Sequence, residues 1–424
     1  MIMVGGLYLM FLSTLGGISH LRHRLQWHPE ITRKIIHLSL GGVCLSFPWI
    51  FTQFLDVLIL CSLCLSTMFI IRFTDHFKKQ LGDGIYGISR QSLGEIYFTV
   101  SVVLCFYWAN GKTLLYFIPI LILTFSDLAA ALIGTFYAKC PYKIVGGQKS
   151  LEGSITFFWV TFTFLLISIM LLSDLEKEEY KFLGIAFLLT SVVTIVEAVS
   201  WKGLDNLFIP LSLLIMMDRF VGWSFSKIGI YTGLLWGFFL LTMGLHKKSG
   251  LDIQSLLCGV IFAFFFICAE SPFWAYPLAV LFILYALFSH HHPLSDQNLW
   301  PVLSICSSGL VWVLLDDIFD HHIFSYAFFL SFAIHGFLIL NSFFSKVFLS
   351  LLTIIVPFLI YEQTSLPFFF LMLINAFLCI LISHFFLIYT RSFNTPWVKN
   401  ALIAFVGSSL GIGMILLFRK VQIL

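Results

Sequence analysis

The chain has 424 residues, 59% of them hydrophobic and only 11% charged, with a formal net charge of +3. A water-soluble domain could not cover so much apolar surface, so that class is excluded. No basic stripe and no stacking platform appears, which argues against nucleic acid as a partner.

Apolar runs of about 17–25 residues recur from end to end, the length of a bilayer-spanning helix. They predict an all-α, polytopic transmembrane bundle of about sixteen spans, from 2–18 at one end to 401–418 at the other. The first run has no basic segment ahead of its apolar stretch, so it is read as a retained span and not a cleaved signal.

The segment HPEITRKIIHLSLGG, residues 28–42, places Glu30, Arg33, Lys34 and His37 on one helical face. Arg and Lys at such a helix end ordinarily anchor to lipid headgroups. His37 lies a turn deeper, beside Gly41 and Gly42, where a polar side chain should face the bundle or a wet cavity. Spans at 35–51 and 52–71 follow. Cys61 and Cys64 have the C-x-x-C spacing formally, but they stand mid-span among leucines and are read as packing cysteines.

In ISRQSLGEIYF, residues 88–98, Arg90 and Glu95 flank Ser92 and Gly94 just before a span. One reading is an interfacial ion pair with Ser92 as a helix cap. The other has Arg90 on a phosphate, whose oxygens suit its fork.

The richest stretch is 125–154, FSDLAAALIGTFYAKCPYKIVGGQKSLEGS. Asp127, Ala131 and Gly134 form a small-residue stripe. Close helix packing explains the last two but not a carboxylate at that depth. Mg²⁺ commonly takes one or two carboxylates together with phosphate oxygens, which makes Asp127 a candidate ligand. Gly146 and Gly147 offer backbone amides to an anion, and Lys149 adds a point charge. A helix starting near Ser150 adds its N-terminal amides, with Glu152 and Gly153 at its mouth. The competing reading is a capped helix start and a solvated loop. A nucleotide triphosphate loop of the G-x-x-x-x-G-K-[ST] type is absent.

In VEAVSWKGLDNLFIP, residues 196–210, Asp205 and Asn206 precede a short apolar run that Pro210 interrupts. Asp205 is either a helix cap or a second acid, holding metal or accepting a hydroxyl proton. Glu197, one turn inside the bilayer, points the same way. The basic segments at 22–34, 72–94 and 135–153 alternate with short or acidic ones. The positive-inside rule therefore places all these polar clusters on the cytoplasmic face.

The second half is rich in phenylalanine and poor in charge, and a module boundary is expected near 218–225, dividing 1–217 from 218–424. His290, His291, His292, His321 and His322 lack Cys or carboxylates at ligand spacing and are read as interfacial polar residues.

Four segments together resemble the membrane polyprenol kinases, the group of phytol kinase and dolichol kinase, related to phosphatidate cytidylyltransferases. They are RKIIHLSLGG at 33–42, RQSLGEIYF at 90–98, SDLAAALIG with KSLEGS across 126–154, and GLDNLFIP at 203–210. The likeness spans roughly residues 20–217. It implies CTP-dependent, Mg²⁺-assisted phosphorylation of a long isoprenoid alcohol. By this resemblance Asp127, Lys149, Glu152 and Asp205 are the catalytic group, with Asp127 and Asp205 on the metal. Arg33, Lys34, His37, Arg90, Glu95, Gly146, Gly147, Gly153 and Asn206 would hold the nucleotide or the hydroxyl. The second half is what the shorter kinases lack. It has only a vague likeness to phytyl phosphate kinases near KKSGLDIQSLLCGVIF, without their Gly-Asp-Thr motif, so no second catalytic site is assigned.

Two other classes compete. A cytidylyltransferase would move CMP to a lipid phosphate with the same groups. A transporter would place charges mid-bilayer in both halves. The kinase reading demands that Asp127, Lys149, Glu152 and Asp205 converge within about 10 Å, since one triphosphate and its metal touch them all. The sequence carries no sign of an oligomeric state.

Overall fold

The structure, a computed structural model, describes residues 2–27, 29–74, 93–172, 179–220, 222–269, 272–288, 299–319, 323–339, 373–383 and 396–422. The chain is a helical membrane protein. Among the described residues, seven helices are long and apolar enough to cross a bilayer, and shorter apolar helices accompany them. The chain divides into two compact units, Met1–Gly233 and Leu234–Leu424.

The first unit contains α1 (Ile2–Leu25), α2 (Pro29–Leu45), α3 (Phe47–Ile50), α4 (Phe54–Phe73), α5 (Gly94–Ala109) and α6 (Thr113–Phe136). A hairpin, β1 (Pro141–Ile144) and β2 (Gly147–Ser150), then leads into α7 (Leu151–Leu172), α8 (Glu179–Val199) and α9 (Asp205–Phe220). The division between the units falls within α10 (Phe225–Ser249).

The helix α6 is the hub. Ile118, Ile120, Ile122 and Leu123 are at most 1% exposed, and α6 packs against α2, α5, α7 and α9. A helix apolar on every side belongs at the centre of a bundle. Gly41 lets α2 approach closely, since a Cβ there would strike the side chain of Thr124 on α6. Gly153 does the same for α7: an added Cβ would lie 3.1 Å from the Ala130 carbonyl and 3.4 Å from Gly134 Cα. The stripe of small residues on α6 is thus a helix crossing, with Asp127 two turns from Gly134 along it.

Three local features depart from the expectations drawn from apolar runs. The expected span 35–51 is two helices, because the chain breaks at Ser46 and restarts with Pro48 in the first turn of α3. The loop expected around Gly146 and Gly147 is a two-stranded antiparallel hairpin pairing Tyr142 with Lys149 and Ile144 with Gly147. Gly146 forms its turn at φ +77°, a left-handed conformation that glycine adopts without steric cost. Finally, Pro210 does not interrupt α9, which runs through it to Phe220.

The second unit contains the rest of α10, then α11 (Ile253–Ala269), a 3₁₀ turn (Pro272–Ala275), α12 (Tyr276–Phe288), α13 (Leu299–Phe319), α14 (Ile323–Ile339), α15 (Leu373–Ser383) and α16 (Pro396–Gln422). Phe266, Phe328, Phe332 and Trp274 form an aromatic core. Some of the buried polar groups here pair with one another. Trp312 Nε1 donates to Ser408 Oγ at 3.0 Å, and His335 lies within bonding distance of Ser304 Oγ, 3.2 Å, and of the Ser331 carbonyl, 3.0 Å. The histidines at 290–292 and 321–322 lie outside the described residues, as does the span expected at 347–360.

Candidate active site

The first unit encloses a cavity of about 1080 Å³. Its polar end is built from the ends of α2, α4, α5, α6, α8 and α9 together with the hairpin. Two buried ion pairs stand in its wall.

The first pair joins α2 to α6. Lys34 Nζ donates to Asp127 Oδ2 at 2.5 Å, and their side chains are only 4% and 10% exposed. One turn along α2, His37 Nε2 lies 3.1 Å from the Leu123 carbonyl and 3.9 Å from Asp127 Oδ2. The spacing explains the match. Residues 34 and 37 on one helix meet 127 and 123 on the other, each set one turn apart. A carboxylate at this depth survives because a cation meets it.

The second pair joins the hairpin to α8. Lys149 Nζ donates to Glu197 Oε1 at 2.6 Å and also to the Glu197 carbonyl. Asp205 Oδ2, at the start of α9, is 3.9 Å from the same nitrogen. Glu197 Oε2 is buried and has no hydrogen-bond partner, and Glu197 also feels the charges of Asp205 and Asp127. Burial alone would pull the Lys149 pKa down. The carboxylates of Glu197 and then Asp205 outweigh it and hold the ammonium above the ordinary lysine range. Opposite Lys149 in the hairpin, Tyr142 bonds Ser154 Oγ at 2.9 Å. Its pKa is pushed up to about 12, chiefly by burial and then by the Glu197 charge.

Around these pairs the cavity gathers Arg33, Glu95, Gly146, Gly153, Lys202 and Asn206. Glu95 is paired with Arg72, at 2.6 Å, and both line the wall. Asn206 donates to the Gly94 carbonyl at 2.9 Å, tying α9 to the start of α5. In all, five cationic side chains (Arg33, Lys34, Arg72, Lys149, Lys202) and four carboxylates (Glu95, Asp127, Glu197, Asp205) line the cavity.

Asp127, Lys149 and Asp205 therefore meet at one cavity, as do Arg33, Lys34 and His37. Glu152 is not brought to it. Its carboxylate instead accepts the Cys140 N–H at 3.0 Å. Together with the Leu151 N–H to Cys140 carbonyl bond, this clips the base of the hairpin to α7. Gly147 is engaged in the strand pairing opposite Ile144 and does not line the cavity. Gly153 lines it, and its N–H is held by Ser150 Oγ at 3.1 Å, the N-cap of α7. Arg90 and Ser92 lie outside the described residues. Three residues that sequence spacing did not single out are Arg72, Lys202 and Tyr142. The only signal for Glu197 was its depth in an apolar run.

Among the described residues, no three His, Cys, Asp or Glu side chains are grouped as a ready-made cation site. The carboxylates instead come to the cavity from α6, α8 and α9.

No family model matches the chain, and no solved structure matches it. Among curated proteins, the phytol kinase of Synechocystis sp. is 26% identical over 242 residues, covering 53% of this chain and 91% of that protein. Over about half its length, the chain is polyprenol/phytol kinase-like.

Proposed function

We propose that the protein phosphorylates a long-chain isoprenoid alcohol, with CTP as donor and Mg²⁺ as cofactor, at the cytoplasmic face of its membrane. The observation that carries this reading is the pair of buried lysine–carboxylate bridges, Lys34–Asp127 and Lys149–Glu197, facing one cavity. The likeness to a protein named for phosphorylating phytol supports the acceptor class.

The residues fit a divalent cation by one specific sign. Glu197 Oε2 is buried without a partner, and an unsatisfied carboxylate oxygen beside two further acids is costly unless something positive joins it. Asp127 and Asp205, with Glu197, would hold Mg²⁺, which would supply charge neutralisation to the phosphates.

The protein's own residues do the remainder. Phosphoryl transfer needs positioning and charge stabilisation more than covalent help. Each lysine is neutralised by its carboxylate. Lys34 and Lys149 would stabilise charge on the phosphates of a bound triphosphate, and Asp127 and Glu197 would serve the cation. Arg33, Arg72 and Lys202 add charge around the same volume. Gly146, at the hairpin tip beside Lys202, keeps backbone close to the phosphates. With Asp205 on the cation, His37 would accept the hydroxyl proton.

The test uses purified protein in lipid vesicles with a prenyl alcohol, Mg²⁺ and CTP labelled at either the γ or the α phosphorus. Label from the γ position in the extracted lipid supports the kinase. Transfer from the α position alone replaces it with CMP transfer. No transfer from either, with Asp127→Ala protein still functional in cells, refutes both.

A further inference from the structure

The link between α8 and α9 holds an unusual stretch of backbone. Lys202 lies at φ +52° and Gly203 at φ +90°. Glycine adopts the left-handed region freely, but a lysine there is strained, and a glycine at 202 would relieve the cost. Gln26 and Asn110 share such a φ but do not line the cavity, whereas Lys202 does. A glycine would fold more easily at this position, which leaves the lysine side chain as the reason for the strain.

Hydrogen bonds fix the link. The Trp201 carbonyl accepts the Leu204 N–H at 3.0 Å, the Lys202 carbonyl the Leu93 N–H at 3.1 Å, and the Gly203 carbonyl the Asn206 N–H at 3.1 Å. Just before it, Ser200 Oγ donates to the Val196 carbonyl at 2.6 Å and closes α8. The Lys202 side chain lies against the hairpin tip, since a Cβ added at Gly146 would stand 3.8 Å from Lys202 Cε. Trp201 also lines the cavity and is only partly exposed. Trp49, Trp108 and Trp159 are by contrast 54–67% exposed, as anchors at a membrane surface are.

Along this wall the order is charge, charge, ring. Lys149 and Gly146 are three residues apart in the hairpin, about 10 Å. Lys202 meets the hairpin at Gly146, and Trp201 is its neighbour. A row of anionic groups ending in a flat heterocycle matches that order, and a nucleoside triphosphate has that form. Bases stack on aromatic rings whatever their hydrogen-bonding edge. We infer that Trp201 stacks on the base of the donor nucleotide, while Lys202, held in its left-handed turn, contacts the phosphates nearest the ribose. Lys149 serves the far end of the phosphate row. This inference rests on the kinase reading above and adds a base subsite to it.

Two measurements test it. In the first, 5-iodocytidine triphosphate is irradiated with the unaltered full chain in vesicles with Mg²⁺. The inference requires a crosslink at Trp201 that excess CTP displaces; crosslinks confined to other residues overturn it. In the second, calorimetric titration compares CTP with inorganic tripolyphosphate, which has the charges and no base. Trp201→Leu should weaken CTP at least tenfold and leave tripolyphosphate within twofold, while Trp201→Phe keeps CTP within threefold of the unaltered protein. Lys202→Gly should weaken both ligands at least fivefold without lowering the melting temperature, because the strain goes with the charge. A Trp201→Leu protein that loses both ligands equally, or neither, overturns the base subsite, as does a Lys202→Gly protein with both affinities unchanged. Phosphate transfer to a prenyl alcohol with these affinities unmoved leaves the kinase reading standing without the subsite. The expected pattern of binding with no transfer to any alcohol sinks the kinase reading and leaves Trp201 and Lys202 as a nucleotide site.

Discussion

Removing Asp127 should strand Lys34 in a wall where it is 4% exposed. Truncating one partner of a buried ion pair typically costs about 3–5 kcal/mol, because the other charge stays buried without compensation. Arg33 adds to the penalty, since its charge lies close by in the same cavity wall and acts on the same carboxylate. In a compact unit that spans Met1–Gly233, each kcal/mol moves the midpoint by about 2–4 °C. Asp127→Ala should therefore lower the melting temperature by roughly 6–20 °C, read by thermal unfolding in detergent. The double variant Lys34→Met with Asp127→Leu replaces the pair with apolar groups of similar size, a change that is often neutral or stabilising. It should regain most of the lost stability while transferring phosphate at least 10²-fold more slowly, the usual scale for losing one charge-stabilising group. A double variant that is both stable and fully active would refute the argument, since the pair would then serve packing alone. An Asp127→Ala protein with an unchanged midpoint would refute the burial argument directly.

Glu197→Gln should raise the Mg²⁺ concentration for half-maximal activity at least tenfold, measured by metal titration at saturating CTP; an unchanged titration removes Glu197 from the cation site. Gly41→Ala should destabilise the α2–α6 crossing by about 1–3 kcal/mol through overpacking against Thr124. Adding Thr124→Ala should recover part of that loss, as followed by thermal unfolding. High pH should weaken the fold through the hairpin. The Lys149 pKa is raised by its carboxylates, so its contribution is complete below 10.5 and is lost as pH climbs through the higher folded value. Tyr142, raised from 10.0 to about 12, acts in the same direction over that interval, because only the unfolded phenol ionises there. The melting temperature should therefore be unaffected by these two groups from pH 6 to 9 and decline above about 10. A decline that persists in a Lys149→Met, Tyr142→Phe protein assigns it elsewhere.

Several parts of this molecule were readable from local pattern. The apolar runs specified helices because a bilayer leaves a backbone few alternatives, and the runs at 52–71, 113–134 and 154–172 match α4, α6 and α7 within a few residues. The carboxylate at position 127 stood out for the same reason: ionisable groups in apolar runs are too costly to be incidental. Where local pattern misled, an interaction distant in sequence was the cause. Glu152 was expected in the catalytic group beside Lys149, yet its carboxylate accepts the Cys140 amide at the base of a hairpin that no periodicity signalled. A four-residue strand is too short to show an alternating pattern above noise.

Composition and hydropathy alone determined that the chain is a helical membrane protein, and single residues alone marked which positions carry an unusual charge. Their partners were decided by the tertiary structure. Lys34 and Asp127 are 93 positions apart, and Lys149 and Glu197 are 48 apart. Helical period relates neighbours within a turn or two but carries no information on which helices pack together. Only the close crossings at Gly41 and Gly153 bring α2 and α7 against α6. The first of those contacts brings Lys34 to Asp127, and the second sets the hairpin that carries Lys149 at the head of α7.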